Sequence, residues 1–128
     1  MSQLINMEQL RAARALDDAR AILAARNTEG DKLSGYHSLI ITNGLLATLA
    51  YSTDKGGECR IIAESLIRHL AALQKYGRFP GECLPENLMD AIGCIAATAT
   101  PTLLAMMTDE CMAYLNYLKR FVRAMNKI

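Results

Sequence analysis

The longest run without a formally charged residue, Leu33 to Thr53 (LSGYHSLIITNGLLATLAYST), constrains the fold more than any other stretch. A transmembrane span needs about 20 predominantly apolar residues. This run is long enough, but Ser34, His37, Ser38, Thr42, Asn43, Thr48 and Ser52 would all lie in hydrocarbon, which argues against a span. Asn43-Gly44 between two apolar arms is a β-hairpin signal. Neither arm alternates apolar with polar residues, however, and no other segment reads as a partner strand. A lone two-stranded hairpin is marginal in water. The remaining reading is a central helix, apolar over most of its circumference through Tyr36, Leu39, Ile40, Leu46, Leu49 and Ala50. Gly44 inside such a helix costs about 1 kcal/mol relative to alanine, which suits a place where another backbone packs close.

Helical patterns flank this run. From Asn6 to Arg26, Ala12, Ala15, Leu16, Ala19, Ile22 and Leu23 make a narrow alanine-rich face, with Arg11, Arg14 and Asp18 on the opposite side and Arg14 set for an i,i+4 contact with Asp18. Asn27 to Asp31 reads as a loop, and Asp54-Lys55-Gly56-Gly57 as a break. A helix over Glu58 to Tyr76 buries Cys59, Ile62, Leu66, Leu70 and Leu73, and carries Arg60, Glu64, Arg68 and Lys75 outside. Gly77 to Pro85 is the longest irregular segment. The next helix starts near Pro85, carries Leu88, Met89, Ile92 and Ile95, and stops before Thr100-Pro101, where a cap and a first-turn proline restart the chain. Thr108-Asp109-Glu110 repeats a capping signal, which predicts a short fifth helix and a long sixth. The expected architecture is a single-domain all-α bundle over residues 1–128, of about five to six helices around a central apolar one.

Composition supports a globular helical chain: 52% of residues are apolar and 21% charged, without tryptophan. The net charge is +1, so attraction to a polyanion has to come from a local patch. The N-terminal MSQLINMEQLRAA has neither a signal-peptide core nor the bias of a transit peptide, which points to the cytoplasm. Cys59, Cys83, Cys94 and Cys111 lack metal-ligand spacing and are not grouped with His37 or His69, so no metal or cofactor is expected and the cysteines read as small buried hydrophobes.

The feature that points to function is the helix over Asp109 to Asn126. Wound at 3.6 residues per turn, it gathers Cys111, Tyr114, Leu115, Leu118, Phe121, Val122 and Met125 on one side. Lys119, Arg120, Arg123 and Lys127 gather on the other with Asn116, and no acid follows Glu110. Lys119 to Lys127 spans about 12 Å, enough to meet two or three successive phosphates. Cations near a helix C-terminus also complement the macrodipole, which by itself accounts for Arg123 and Lys127; four on one arc without acids make a polyanion-binding face the equal alternative. There is no glycine-rich phosphate loop, G-x-S-x-G or H-E-x-x-H, and the adjacent pairs Asp17-Asp18 and Asp109-Glu110 point about 100° apart on a helix, so no catalytic residue is assigned.

Two stretches resemble a known family. Tyr36-His37-Ser38-Leu39-Ile40-Ile41-Thr42-Asn43-Gly44-Leu45-Leu46-Ala47-Thr48-Leu49-Ala50-Tyr51, closed by Lys55, is similar to the signature of the small helical subunit of the type III-B CRISPR effector, the RNA-guided Cmr complex. Glu110-Cys111-Met112-Ala113-Tyr114-Leu115-Asn116-Tyr117-Leu118-Lys119-Arg120-Phe121 resembles that family's closing motif, with Tyr117 where the family often has tryptophan. The resemblance implies a non-catalytic protein that stacks with further copies of itself as a minor filament. It would lie beside the backbone and other subunits and help hold guide RNA and target RNA. Lys55, Lys119 and Arg120 match motif positions and become RNA-facing candidates. Arg123 and Lys127 join them through the helical arc, while Arg11, Arg14, Arg68 and Lys75 are weaker candidates beyond the motifs.

Two other classes compete with that expectation. One is a stand-alone helical adaptor or dimerisation module whose basic face meets an acidic protein. The other is a small hydrolase or thiol enzyme using Cys83 in the proline-rich segment, which lacks a base or oxyanion donor nearby.

Overall fold

A computed structural model of the chain describes residues 6–25 and 32–126. The expected loop at 27–31, Arg26 and Lys127 lie outside the described residues. Among those described, six helices and no strand are found: α1 (Met7–Ala25), α2 (Lys32–Asn43), α3 (Leu45–Lys55), α4 (Gly57–Lys75), α5 (Leu88–Thr98) and α6 (Pro101–Asn126). The fold is the expected all-α bundle, and one cluster of buried side chains draws on all six helices.

The stretch expected as one central helix is two. Gly44 has φ 89° and ψ 162°, a combination open only to glycine. A Cβ there would meet nothing within 4 Å, so glycine is required by backbone conformation and not by the close packing its position suggested. Its N–H donates to the Ile40 carbonyl at 2.8 Å and its carbonyl accepts from Thr48 N–H at 3.1 Å, so a single residue closes α2 and opens α3. The two helices fold back until the Tyr36 and Ser52 hydroxyls meet at 2.6 Å. Ser52 donates its own proton to the Thr48 carbonyl, so Tyr36 is the donor of the buried cross-helix bond. The Asn-Gly signal therefore does report a chain reversal, between helices. Gly56, at φ 70°, makes a similar one-residue break between α3 and α4.

The helix that meets all the others is α4, which packs on α1, α2, α3, α5 and α6. It buries Cys59, Ile62, Leu66, Leu70 and Leu73 as its spacing predicts, and also Ser65, His69 and Gln74. Gln74 pins the irregular segment after α4, donating to the Pro80 carbonyl at 3.1 Å and accepting from Leu84 N–H at 2.9 Å. The start of α5 is set by Asn87, whose side chain accepts from Asp90 N–H at 3.0 Å, two residues beyond Pro85.

Thr100 caps the next helix, accepting from Leu103 N–H at 3.1 Å. The short fifth and long sixth helices expected beyond it are one continuous α6. Thr108 does not cap a new helix; its hydroxyl donates back to the Leu104 carbonyl at 2.8 Å, a bond that a threonine makes within a helix.

The outward side assigned to α1 is also corrected. Ala15, Ala19 and Ile22 are buried as expected, but so is Asp18. The reason is that α1 lies against both α6 and α4 and so buries two faces.

Candidate nucleic-acid interface

The charged residues of α6 divide into two groups with opposite surroundings. Toward the interior, Glu110 is only 6% exposed. Arg11 of α1 holds it in a fork, Nε to Oε2 and Nη2 to Oε1, both at 2.7 Å. His69 of α4 adds a contact from Nε2 to Oε2 at 2.9 Å. Burial opposes ionisation of Glu110, but the bonds and charges of Arg11 and His69 outweigh it and bring its pKa down to about 2. An ionised carboxylate only accepts, so Nε2 of His69 carries the proton. Its Nδ1 is buried without a partner among the described residues, as is Nε of Arg14.

The same network continues through Tyr114, whose ring stacks on His69 with centroids 4.5 Å apart. The Tyr114 hydroxyl donates to Asp18 Oδ2. Asp18 Oδ1 also accepts from Arg68 Nη2 at 3.4 Å, and the same nitrogen reaches Ser65 Oγ at 3.3 Å. Burial and the charge of Asp18 raise the Tyr114 pKa, so the phenol stays protonated and donating. Two of the weaker sequence candidates, Arg11 and Arg68, thus face internal acids.

On the outer side of α6, Arg120 and Arg123 are exposed with Asn116, and Lys119 is half-buried toward α2. Burial, together with the charge of Lys119, lowers the His37 pKa, so α2 forms one border of the basic face. The opposite border is α1: Tyr117 donates its hydroxyl to Glu8 Oε2 at 2.7 Å. On this face an open groove of about 360 Å³ is lined by Ala113, Asn116, Tyr117 and Arg120 of α6. The arc read from the sequence is therefore an exposed surface of α6 for Arg120 and Arg123, with Lys119 at its edge.

The other candidates are dispersed. Lys55 is exposed in the last turn of α3, whose main neighbours are α4, α5 and α2. Lys75 is exposed in the last turn of α4 and Arg14 is half-buried on α1. The Glu8 bond of Tyr117 escaped sequence reasoning, because it needs α1 and α6 side by side, whereas the residues that line the groove all stand on α6. The alanine at position 113, one turn before Tyr117 and two before Arg120, is the signal that a hollow sits on this face.

Cysteine chemistry does not gather into a site. Cys59 and Cys111 are buried, and burial pushes the Cys111 thiol up. Cys83 is exposed and Cys94 half-buried, so the expectation of buried hydrophobes holds for two of the four. Among the described residues no group of three or more His, Cys, Asp or Glu is placed to hold a metal ion, and no helix is long and apolar enough to cross a membrane.

Among the described residues, the all-α bundle pairs Glu110 and Asp18 with partners from other helices and leaves Arg120 and Arg123 exposed on α6. Residues 7–125 match the family model described as CRISPR-associated protein (Cas_Cmr5). The chain belongs to that family, the small subunits of type III-B CRISPR effector complexes. Comparison with curated proteins and with solved structures returned no match.

Proposed function

We propose that this chain is a non-catalytic subunit that stacks with its own copies as a minor filament and supports the guide–target RNA duplex through the outer face of α6. In that reading it forms a single helical-bundle domain of a cytoplasmic complex and acts in antiviral defence. The observation that carries it is the exposure of Arg120 and Arg123 beside Lys119 on a helix segment without acids after Glu110. Lys127 would extend this face, and Lys55 would add a separate contact from the end of α3. Arg14 and Lys75 are secondary contributors. Arg11 and Arg68 hold Glu110 and Asp18 instead.

The chemistry suits a support that serves any guide. Phosphate contacts position a nucleic acid without reading its sequence, and lysine and arginine on one face supply them. A chain with net charge +1 leaves its other surfaces free to pack against copies of itself without strong repulsion.

The test is to purify the tagged chain from cells that carry it, then sequence the bound RNA and identify the proteins. Short RNAs sharing a repeat-derived end, together with larger RNA-binding subunits, are expected. Lys119→Glu with Arg120→Glu should then reduce RNA in the purified assembly while leaving the protein subunits associated. Protein partners without guide RNA, or a double variant that loses protein partners and keeps RNA, would overturn the reading in favour of an adaptor for an acidic protein.

A further inference from the structure

The groove on α6 has a composition that phosphate contact alone does not use. Ala113, Asn116, Tyr117 and Arg120 stand at helical spacings of three and four, so they share one side of the helix. Ala113 leaves the floor low. Asn116 offers an amide with both donors and an acceptor, and Arg120 a planar cation. Tyr117 supplies the aromatic wall. Its ring is held at two points: the hydroxyl bonds Glu8 of α1 at 2.7 Å, and the Phe121 ring lies with its centroid 6.2 Å away at 39°. Contacts that restrict the ring reduce the freedom it loses when a ligand stacks on it.

We propose that this groove seats a single unstacked nucleotide of RNA, its base on the Tyr117 ring with Asn116 at its edge and its phosphate on Arg120. The inference rests on the RNA reading of the same helix face and adds a base contact to the phosphate contacts. A volume of about 360 Å³ is at the small end of the range for small-molecule sites, which suits one nucleotide and not a duplex. Polarity sets the orientation. The negative charge of Glu8 is at the Tyr117 hydroxyl, so the phosphate belongs at the Arg120 end. Stacking accepts every base because each has a π-face. An amide that both donates and accepts is likewise tolerant of base identity, so the seat remains compatible with any guide or target sequence.

The test compares two single-stranded RNAs of equal length, one complete and one abasic at a central position, binding to the full chain at low salt. A fluorescent adenine analogue at that position of the complete RNA reports stacking directly. The wild-type chain should bind the complete RNA about fivefold more tightly than the abasic one, the low end of base–aromatic stacking, and quench the analogue. Tyr117→Ala should abolish both the preference and the quenching, while Tyr117→Phe, which keeps the ring and loses the Glu8 bond, should retain most of each. A thermal melt of each variant separates loss of stacking from loss of fold. Lys119→Glu should weaken both RNAs by the same factor. Equal wild-type affinity for the two RNAs, with that shared sensitivity to Lys119→Glu, would overturn the nucleotide seat and leave the phosphate reading standing. No binding to either RNA would overturn both.

Discussion

The inner and outer sides of α6 carry the same kinds of residue and do opposite things with them. Inside, each acid meets its cations and donors from other helices: Glu110 with Arg11 and His69, Asp18 with Arg68 and Tyr114. Outside, Arg120 and Arg123 stand exposed. The interior groups were desolvated when the bundle formed, and removing one partner now leaves the other uncompensated in low dielectric. The outer groups remain hydrated and can exchange water for phosphate. The lesson is that residue type does not separate a structural charge from an interacting one; the origin of its partner does.

The largest expected effect is on the interior. Glu110→Ala leaves the Arg11 guanidinium and the His69 ring without their acceptor. It should lower unfolding free energy by about 3 kcal/mol, the low end for a broken buried pair because Arg11 is 25% exposed. Urea denaturation measures it, and a loss below about 1 kcal/mol would place this pair with ordinary surface pairs.

The same group sets an acid limit. Its folded pKa is depressed from 4.5 to about 2, so its contribution is fully present above the unfolded value and is lost as pH falls from there toward the folded one. Stability should drop across that window in the wild type, with a smaller slope in Glu110→Gln. Parallel pH profiles of the two proteins would sink this assignment.

Tyr114→Phe comes next. It removes a donor to a buried carboxylate and should cost about 2 kcal/mol, read from the same denaturation curves. Reversing charge on the outer face should behave differently. Lys119→Glu with Arg120→Glu should change stability by no more than about 0.5 kcal/mol while weakening RNA binding and flattening its salt dependence. Since Lys119 helps to lower the His37 pKa, Lys119→Glu alone should move the His37 midpoint upward in an NMR titration. The smallest effect belongs to a paired surface charge: Arg60→Ala, which breaks the 3.3 Å contact to Glu64, should cost about 0.3–0.5 kcal/mol.

What was legible in the sequence follows the range of the forces involved. Periodicity acts within a few residues, so α1 and α4 emerged close to their observed bounds and the core side of α6 was drawn correctly. Short-range cap and turn signals were present but ambiguous. Asn43-Gly44 marks a true reversal that could join strands or helices, and Thr108 can cap a helix or bond back within one. The basic arc was legible because it lies on one helix. The polar network was not, since Arg11 and Glu110 are 99 positions apart and Asp18 and Arg68 are 50 apart. A charged residue in a helical pattern is normally solvated, and only tertiary packing reveals that Asp18, His69 and Glu110 are enclosed.

The pairing of α1 with α6 also bears on how the protein is made. Tyr114 bonds to a residue 96 positions earlier and Tyr117 to one 109 positions earlier. At about 5–20 residues per second of synthesis, α1 waits on the order of five to twenty seconds for these partners. Most of the stability of a helix such as α1 comes from packing its apolar side against the rest of the protein. The final ordering of α1 therefore follows completion of α6, and a ribosome that stops before α6 releases a chain whose first helix has α4 to lie against but lacks its main partner, a ready substrate for proteases.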